Sequence, residues 1–100
     1  MNSIAFSGNP LTSTTLVDCP KGSKASVTHI IEQPLFGLQD AKVGLRLKEL
    51  GFLPGSLIEV IGVGFLGADP LAVKVNGTKF ALRRTEAAKV GVEIIPTGVV

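Results

Sequence analysis

One hundred residues is the length of one compact domain, a size that buries roughly two-thirds of the surface its unfolded chain exposes. At 45% hydrophobic and 18% charged residues the chain is too apolar for disorder, and ten basic against eight acidic side chains are too mild a bias to signal a nucleic-acid binder. Cys19 is the only cysteine and His29 the only histidine, which excludes an intrachain disulfide, a thiolate zinc finger and any constellation that needs two of either from one chain.

Residues 1–15 read as a flexible tail, with Ser3, Ser7, Thr12 to Thr15, a Gly8-Asn9-Pro10 breaker and no periodicity. The first charge is Asp18, so the basic region of a secretory signal is missing. The most apolar run, 57–66, carries Glu59 and glycines and is far short of the roughly 20 residues of a membrane helix. Together with the unpaired cysteine, this leads us to expect a cytoplasmic protein.

The domain proper is expected over 16–95. After the Pro20-Lys21-Gly22 turn, residues 24–31 read as a first strand and 33–39 as a loop. Asp40 offers an N-cap for a helix of about ten residues, and Gly51 can take the left-handed position that ends it. Pro54-Gly55 turns the chain into a strand at 56–63. A loop at 64–69 leads to strands at 70–75 and 78–82 joined by Asn76-Gly77, the pairing a type I′ hairpin turn requires. Thr85 with Glu86 can cap a short helical turn through Lys89, residues 90–95 form a last strand, and Pro96-Thr97-Gly98 opens a C-terminal tail, 96–100.

The hairpin sets a register. A two-residue loop opposes Val75 to Thr78, Val73 to Phe80 and Leu71 to Leu82 on one face, with Lys74 against Lys79 and Ala72 against Ala81 on the other. The first face must be the core, and the predicted core is Val27, Ile58, Val60, Leu71, Val73, Phe80, Leu82 and Val92. Two opposed lysines are unfavourable unless solvated or neutralised from outside the hairpin. Five short strands and one inserted helix in this span make a mainly β protein, closed into a small barrel that protects its sheet edges. The Gly62-Val63-Gly64-Phe65-Leu66-Gly67 stretch has dinucleotide-fingerprint spacing, but a strand, not a helix, follows it, so no helix N-terminus is there to meet a pyrophosphate.

Three stretches carry a family resemblance. The run LVDCPKGSKASV (16–27), the segment LRLKELGFLPGSLIEV (45–60) and the stretch GFLGADPLAVKVNGTKFALRRTEAAKV (64–90) together resemble the ferrous iron transport protein A family across about residues 16–95. The resemblance implies a five-stranded SH3-like barrel with an inserted α-helix and a short helical turn before the last strand. It also implies a cytosolic accessory role beside the membrane iron transporter that carries a GTP-binding domain, ferrous iron transport protein B. Kinship with the C-terminal SH3-like domain of metal-dependent repressors follows too, although this chain has no room for a winged helix. Three features depart from the family: the tail, Cys19 where an aliphatic residue is usual, and Gly44 inside the signature helix, where glycine costs about 1 kcal/mol relative to alanine.

Apolar residues beyond the needs of one core mark the expected partner surface. On the helix, Val43, Leu47 and Leu50 share one face, and Leu45 lies nearly opposite. Leu45 either tucks under the 33–39 loop or forms a docking surface with Arg46 and Glu49. Leu53 and Pro54 extend that surface. Phe65 and Leu66 either plug the barrel end or join the patch, and Arg83 and Arg84 stand at its rim, one of them paired with Glu86 or Glu49 or else reaching an acidic partner. The resulting expectation is a non-enzymatic protein that binds the transporter's GTP-binding domain, with a weak homodimer as a further association.

No cofactor is required. Cys19 and His29, with Asp18 and Glu32 nearest in sequence, do not make a high-affinity site within one chain; a weak transition-metal site could be completed between two chains by His29 and a carboxylate from each. There is no nucleophile–base pair or convergent acid pair to support catalysis. The rival reading is a small nucleic-acid-binding β-barrel or a metal-responsive regulatory module. Lys74, Lys79, Arg83 and Arg84 give it a basic strip, but the chain has no Tyr or Trp to stack bases.

Overall fold

The computed structural model describes residues 13–63 and 69–96. Six strands form one antiparallel sheet: β1 (Ser13–Thr15), β2 (Lys24–Ile30), β3 (Leu57–Val63), β4 (Leu71–Val75), β5 (Thr78–Leu82) and β6 (Val90–Ile95), in the spatial order β1-β6-β2-β3-β4-β5. The helix α1 (Asp40–Leu50) is inserted between β2 and β3, and α2 (Arg84–Ala87) is the short turn before the last strand. The mainly β expectation holds with one strand more than the sequence indicated. Ser13–Thr15, assigned to the tail by sequence, pair with β6, Thr14 opposite Val92. Three residues carry no detectable period, and the open edge of β6 that they fill is a tertiary feature.

Among the described residues no ladder joins β5 back to β1. The two ends of the sheet meet instead through a 3-10 turn after β1 (Leu16–Asp18) that contacts α2 after β5. Register shifts at Thr28 in β2 and Ile61 in β3 are the bulges that bend those strands. The inward residues of every strand from β2 to β6 share one core with Leu16, Leu47, Phe52 and Ala87.

Seven of the eight predicted core residues are buried. Phe80 is the correction: it is only partly buried and packs against the core's edge, its ring 6.2 Å from that of Phe52. The reason is that β5 is an edge strand, with no strand beyond it among the described residues to cover the ring. The hairpin register is as read from Asn76-Gly77, including Lys74 opposite Lys79.

The helix ends divide. Gly51 is left-handed at φ 109°, its N–H donates to Lys48 O and that of Phe52 to Leu47 O, the paired bonds of a Schellman end; this drops Phe52 into the core. At the other end Asp40 is not the cap but the first helical residue. Its carboxylate instead accepts from the backbone N–H of Gln33 at 3.0 Å and from the ammonium of Lys89. Lys89 is 1% exposed, also donates to Ile31 O at 2.9 Å and lies 5.5 Å over the Phe36 ring. This buried cation pins the chain between β2 and α1 onto the start of β6. In α2 the expected Thr85 cap is displaced: Glu86 accepts the Arg83 N–H at 3.0 Å and Asp69 accepts the Arg84 N–H at 3.0 Å.

Candidate functional site

Helix α1 buries Gly44 and Leu47 and packs Val43 and Leu50 on the core, which turns Leu45 outward. Leu45 is 57% exposed, so it does not tuck under the 33–39 segment. It lines a shallow cleft of about 320 Å³ with Ile30, Glu32 and Lys48. Arg46, expected beside it as a partner contact, has its side chain 55% exposed and bridges to Glu86 at 2.8 Å, which ties α1 to α2. Glu49 is exposed on the same helix.

Leu53 and Pro54 belong to a different and larger feature, an open trough of about 770 Å³. The Schellman end of α1 delivers the chain into the turn at 53–56. That turn is held to β2 by Gly55 N–H to Val27 O at 2.8 Å and Val27 N–H to Ser56 O at 2.9 Å. Opposite the turn the trough is walled by Asn76 and Gly77, and its floor is the outer face of β3 with Lys24, Lys74 and Ile95. Leu53 is 47% and Leu57 61% exposed. That Leu57 faces outward follows from placing Ile58 and Val60 in the core, but alternation along one strand does not say which outward residues gather in a trough. Ile95 stands beside Leu57 only because β6 pairs with β2, Ile95 opposite Lys24. The register agrees: Lys24 opposes Glu59 and Ser26 opposes Leu57, which puts Leu57 on the polar side.

Arg83 is exposed and Arg84 half-buried. Neither guanidinium pairs with Glu86, whose carboxylate takes Arg46 and the Arg83 backbone. Phe65 and Leu66, and most of the glycine-rich stretch that holds them, lie outside the described residues, as do residues 1–12 and 97–100.

Cys19 is buried in the core, its Sγ donating to Thr15 O at 3.6 Å, and burial pushes its thiol pKa up. A thiol held protonated is a poor metal ligand. His29 is exposed on β2, in hydrogen-bond contact with the hydroxyl of Thr28 at 2.9 Å. Its ring lies against Gly91 of β6, where a Cβ would come within 2.8 Å of it. The Thr28–His29 contact joins chain neighbours at an exposed bulge, and neither cleft includes them. No group of three or more His, Cys, Asp or Glu that could hold a metal occurs among the described residues, and no described helix is long and apolar enough to cross a membrane.

A curled antiparallel sheet with one inserted helix defines a small SH3-like domain. The FeoA domain model matches residues 14–94, and the chain belongs to that family. FeoA from Stenotrophomonas maltophilia, complexed with zinc, is 36% identical with a TM-score of 0.68, over 80% of this chain and 89% of that one. That protein is described as a prokaryotic SH3 domain protein and a candidate bacterial ferrous iron transport activating factor. FeoA from Chlorobium tepidum is 29% identical with a TM-score of 0.70, over 86% of this chain and 74% of that one. A manganese-dependent transcriptional repressor, 15% identical with a TM-score of 0.72 over 91% of this chain and 45% of that one, shares the fold alone. No curated protein sequence matches the chain.

Proposed function

We propose that this chain is a non-enzymatic accessory protein of bacterial ferrous iron uptake, working in the cytoplasm at the inner face of the membrane. It acts by binding the GTP-binding domain of the iron transporter, ferrous iron transport protein B. Membership of the FeoA family supports the transport context. The observation that carries the binding role is Leu45, a large aliphatic side chain 57% exposed on a helix whose other leucines pack on the core. An exposed apolar side chain framed by Glu49 and Lys48 is the composition of a modest interface, an apolar centre with a charged edge. The reading needs no cofactor. It includes weak self-association and weak transition-metal binding through His29, which zinc titration of wild type against His29→Ala measures.

Calorimetric titration of the transporter's GTP-binding domain with the full chain tests it. Leu45→Glu and Phe65→Glu are expected to abolish binding with circular dichroism unchanged. Lys74→Glu should weaken it less, and less still with added salt. Unchanged binding in both apolar variants would overturn the site, and no binding by wild type would overturn the partner.

A further inference from the structure

The outer face of the sheet carries a row of side chains that neither the core nor the α1 face uses. Across five neighbouring strands the register places Ile95, Lys24, Glu59, Lys74 and Lys79 side by side. Three lysines against one glutamate leave this row positive. Among the described residues none of the three is in an ion pair. Lys74 and Lys79 oppose each other directly and are both exposed, a like-charge pair that water screens and that an anion from outside would neutralise.

Beside that row lies the trough. Leu53, Leu57 and Ile95 are 47%, 61% and 37% exposed and line it together with Pro54. Its walls are positioned from both sides, the turn at 53–56 by backbone bonds to Val27 and the hairpin turn by its packing against the end of α1, where a Cβ on Gly51 would lie 3.3 Å from the Asn76 side chain. We propose that this trough is a docking site for an acidic, aliphatic segment of a partner protein. An aliphatic side chain seats against Leu53, Leu57 and Ile95, and flanking carboxylates meet Lys24 and Lys74. Those two lysines stand two strand spacings apart, roughly 10 Å, which sets the separation of the carboxylates they hold.

Charge and composition select this occupant. A nucleic acid would meet Glu59 in the floor and, among the described residues, a lining with no aromatic ring to stack a base. A second copy would set one net-positive row against another. The inference does not rest on the iron transporter being the partner; it needs only a chain of this chemistry.

The test is an amide chemical-shift titration of the full chain with a synthetic peptide of alternating leucine and glutamate, beside the same peptide with lysine for glutamate. Shifts are expected at Leu53 to Glu59, Lys24, Lys74 and Ile95 with the acidic peptide only. Affinity should fall about fivefold to tenfold between low salt and 0.5 M salt, as screening of exposed charges requires. Leu57→Glu, at an exposed position that leaves the core intact, should weaken binding about tenfold or more, the mark of a central anchor; Lys74→Glu should weaken it and remove most of the salt dependence. Equal binding of the lysine peptide, shifts confined to α1, or no shifts at millimolar peptide would each overturn the proposal. So would displacement of the peptide by single-stranded DNA, or a dimer in sedimentation that Leu57→Glu dissolves.

Discussion

Replacing Lys89 with methionine asks whether a buried ammonium holds the segment between β2 and α1 against the sheet. The methionine fills most of the volume of the lysine stem, so no cavity opens. What is lost is the donor to Ile31 O, at 2.9 Å, and the partner of Asp40. An unsatisfied part-buried carbonyl costs about 1–3 kcal/mol. Relief from burying a charge offsets some of that, so the net loss is about 1–2 kcal/mol. Asp40 keeps the Gln33 N–H and reaches water, its side chain being 24% exposed.

The reverse change is harsher. Asp40→Ala leaves the Lys89 ammonium, 1% exposed, without its counter-charge, and a buried charge stranded in this way costs about 3 kcal/mol or more. The chain has no tryptophan or tyrosine, so urea unfolding is followed by far-ultraviolet circular dichroism, with an unchanged m-value as the condition for comparing midpoints. Lys89→Met as stable as wild type, or Asp40→Ala less damaging than Lys89→Met, would refute the reasoning.

Acid stability should depend on the same pair. The hydrogen bond from Lys89 holds the Asp40 carboxyl below the usual carboxylate range, with help from the Gln33 N–H and against the opposing effect of burial. A carboxyl with a depressed folded pKa contributes stability above its unfolded value of about 4 that is lost as pH falls through the folded value; Lys89→Met should therefore lose less stability than wild type below about pH 4 in acid-unfolding curves. Gly44→Ala places a Cβ 3.6 Å from Ile30 Cγ2, an ordinary contact, and should raise stability by about 0.5–1 kcal/mol through helix propensity; a loss in urea melts would mean that the helix and β2 cannot accept the methyl. Phe80→Ala should cost about 2–3 kcal/mol, less than full burial would give, because β5 leaves one side of the ring uncovered; a loss under about 1 kcal/mol would place Phe80 outside the core's edge. Deleting the chain through Thr15 removes the strand that pairs with β6 and should lower Tm by several degrees relative to a deletion ending at residue 12, roughly 4–8 °C for each kcal/mol lost.

The parts of this protein legible from sequence are those whose chemistry is local. Asn76-Gly77 accepts positive φ at both positions, so it specified its hairpin and with it the opposition of Lys74 and Lys79. Gly51 is likewise the residue that can end α1 in the left-handed conformation. The exposure of Leu45 was half-legible: helical periodicity set it apart from Leu47, but only the packing of the 33–39 segment, which stops short of covering it, left it to solvent.

Tertiary structure decided the rest, because the remaining features are built from residues distant in the chain. Ser13–Thr15 become a strand only because β6 offers an edge. Lys89 is buried and paired only because Asp40 and Ile31, from elsewhere in the chain, close around it. Glu86 could have met Arg83, Arg84 or Arg46, and the approach of α1 to α2 selected Arg46. The trough draws on four strands and two turns, and its character depends on Leu57 and Ile95 facing outward beside Lys24 and Lys74. A one-residue slip of β3 would have turned Leu57 into the core and the charge of Glu59 with it, and the energy that forbids that slip comes from the partner strands and the shared core.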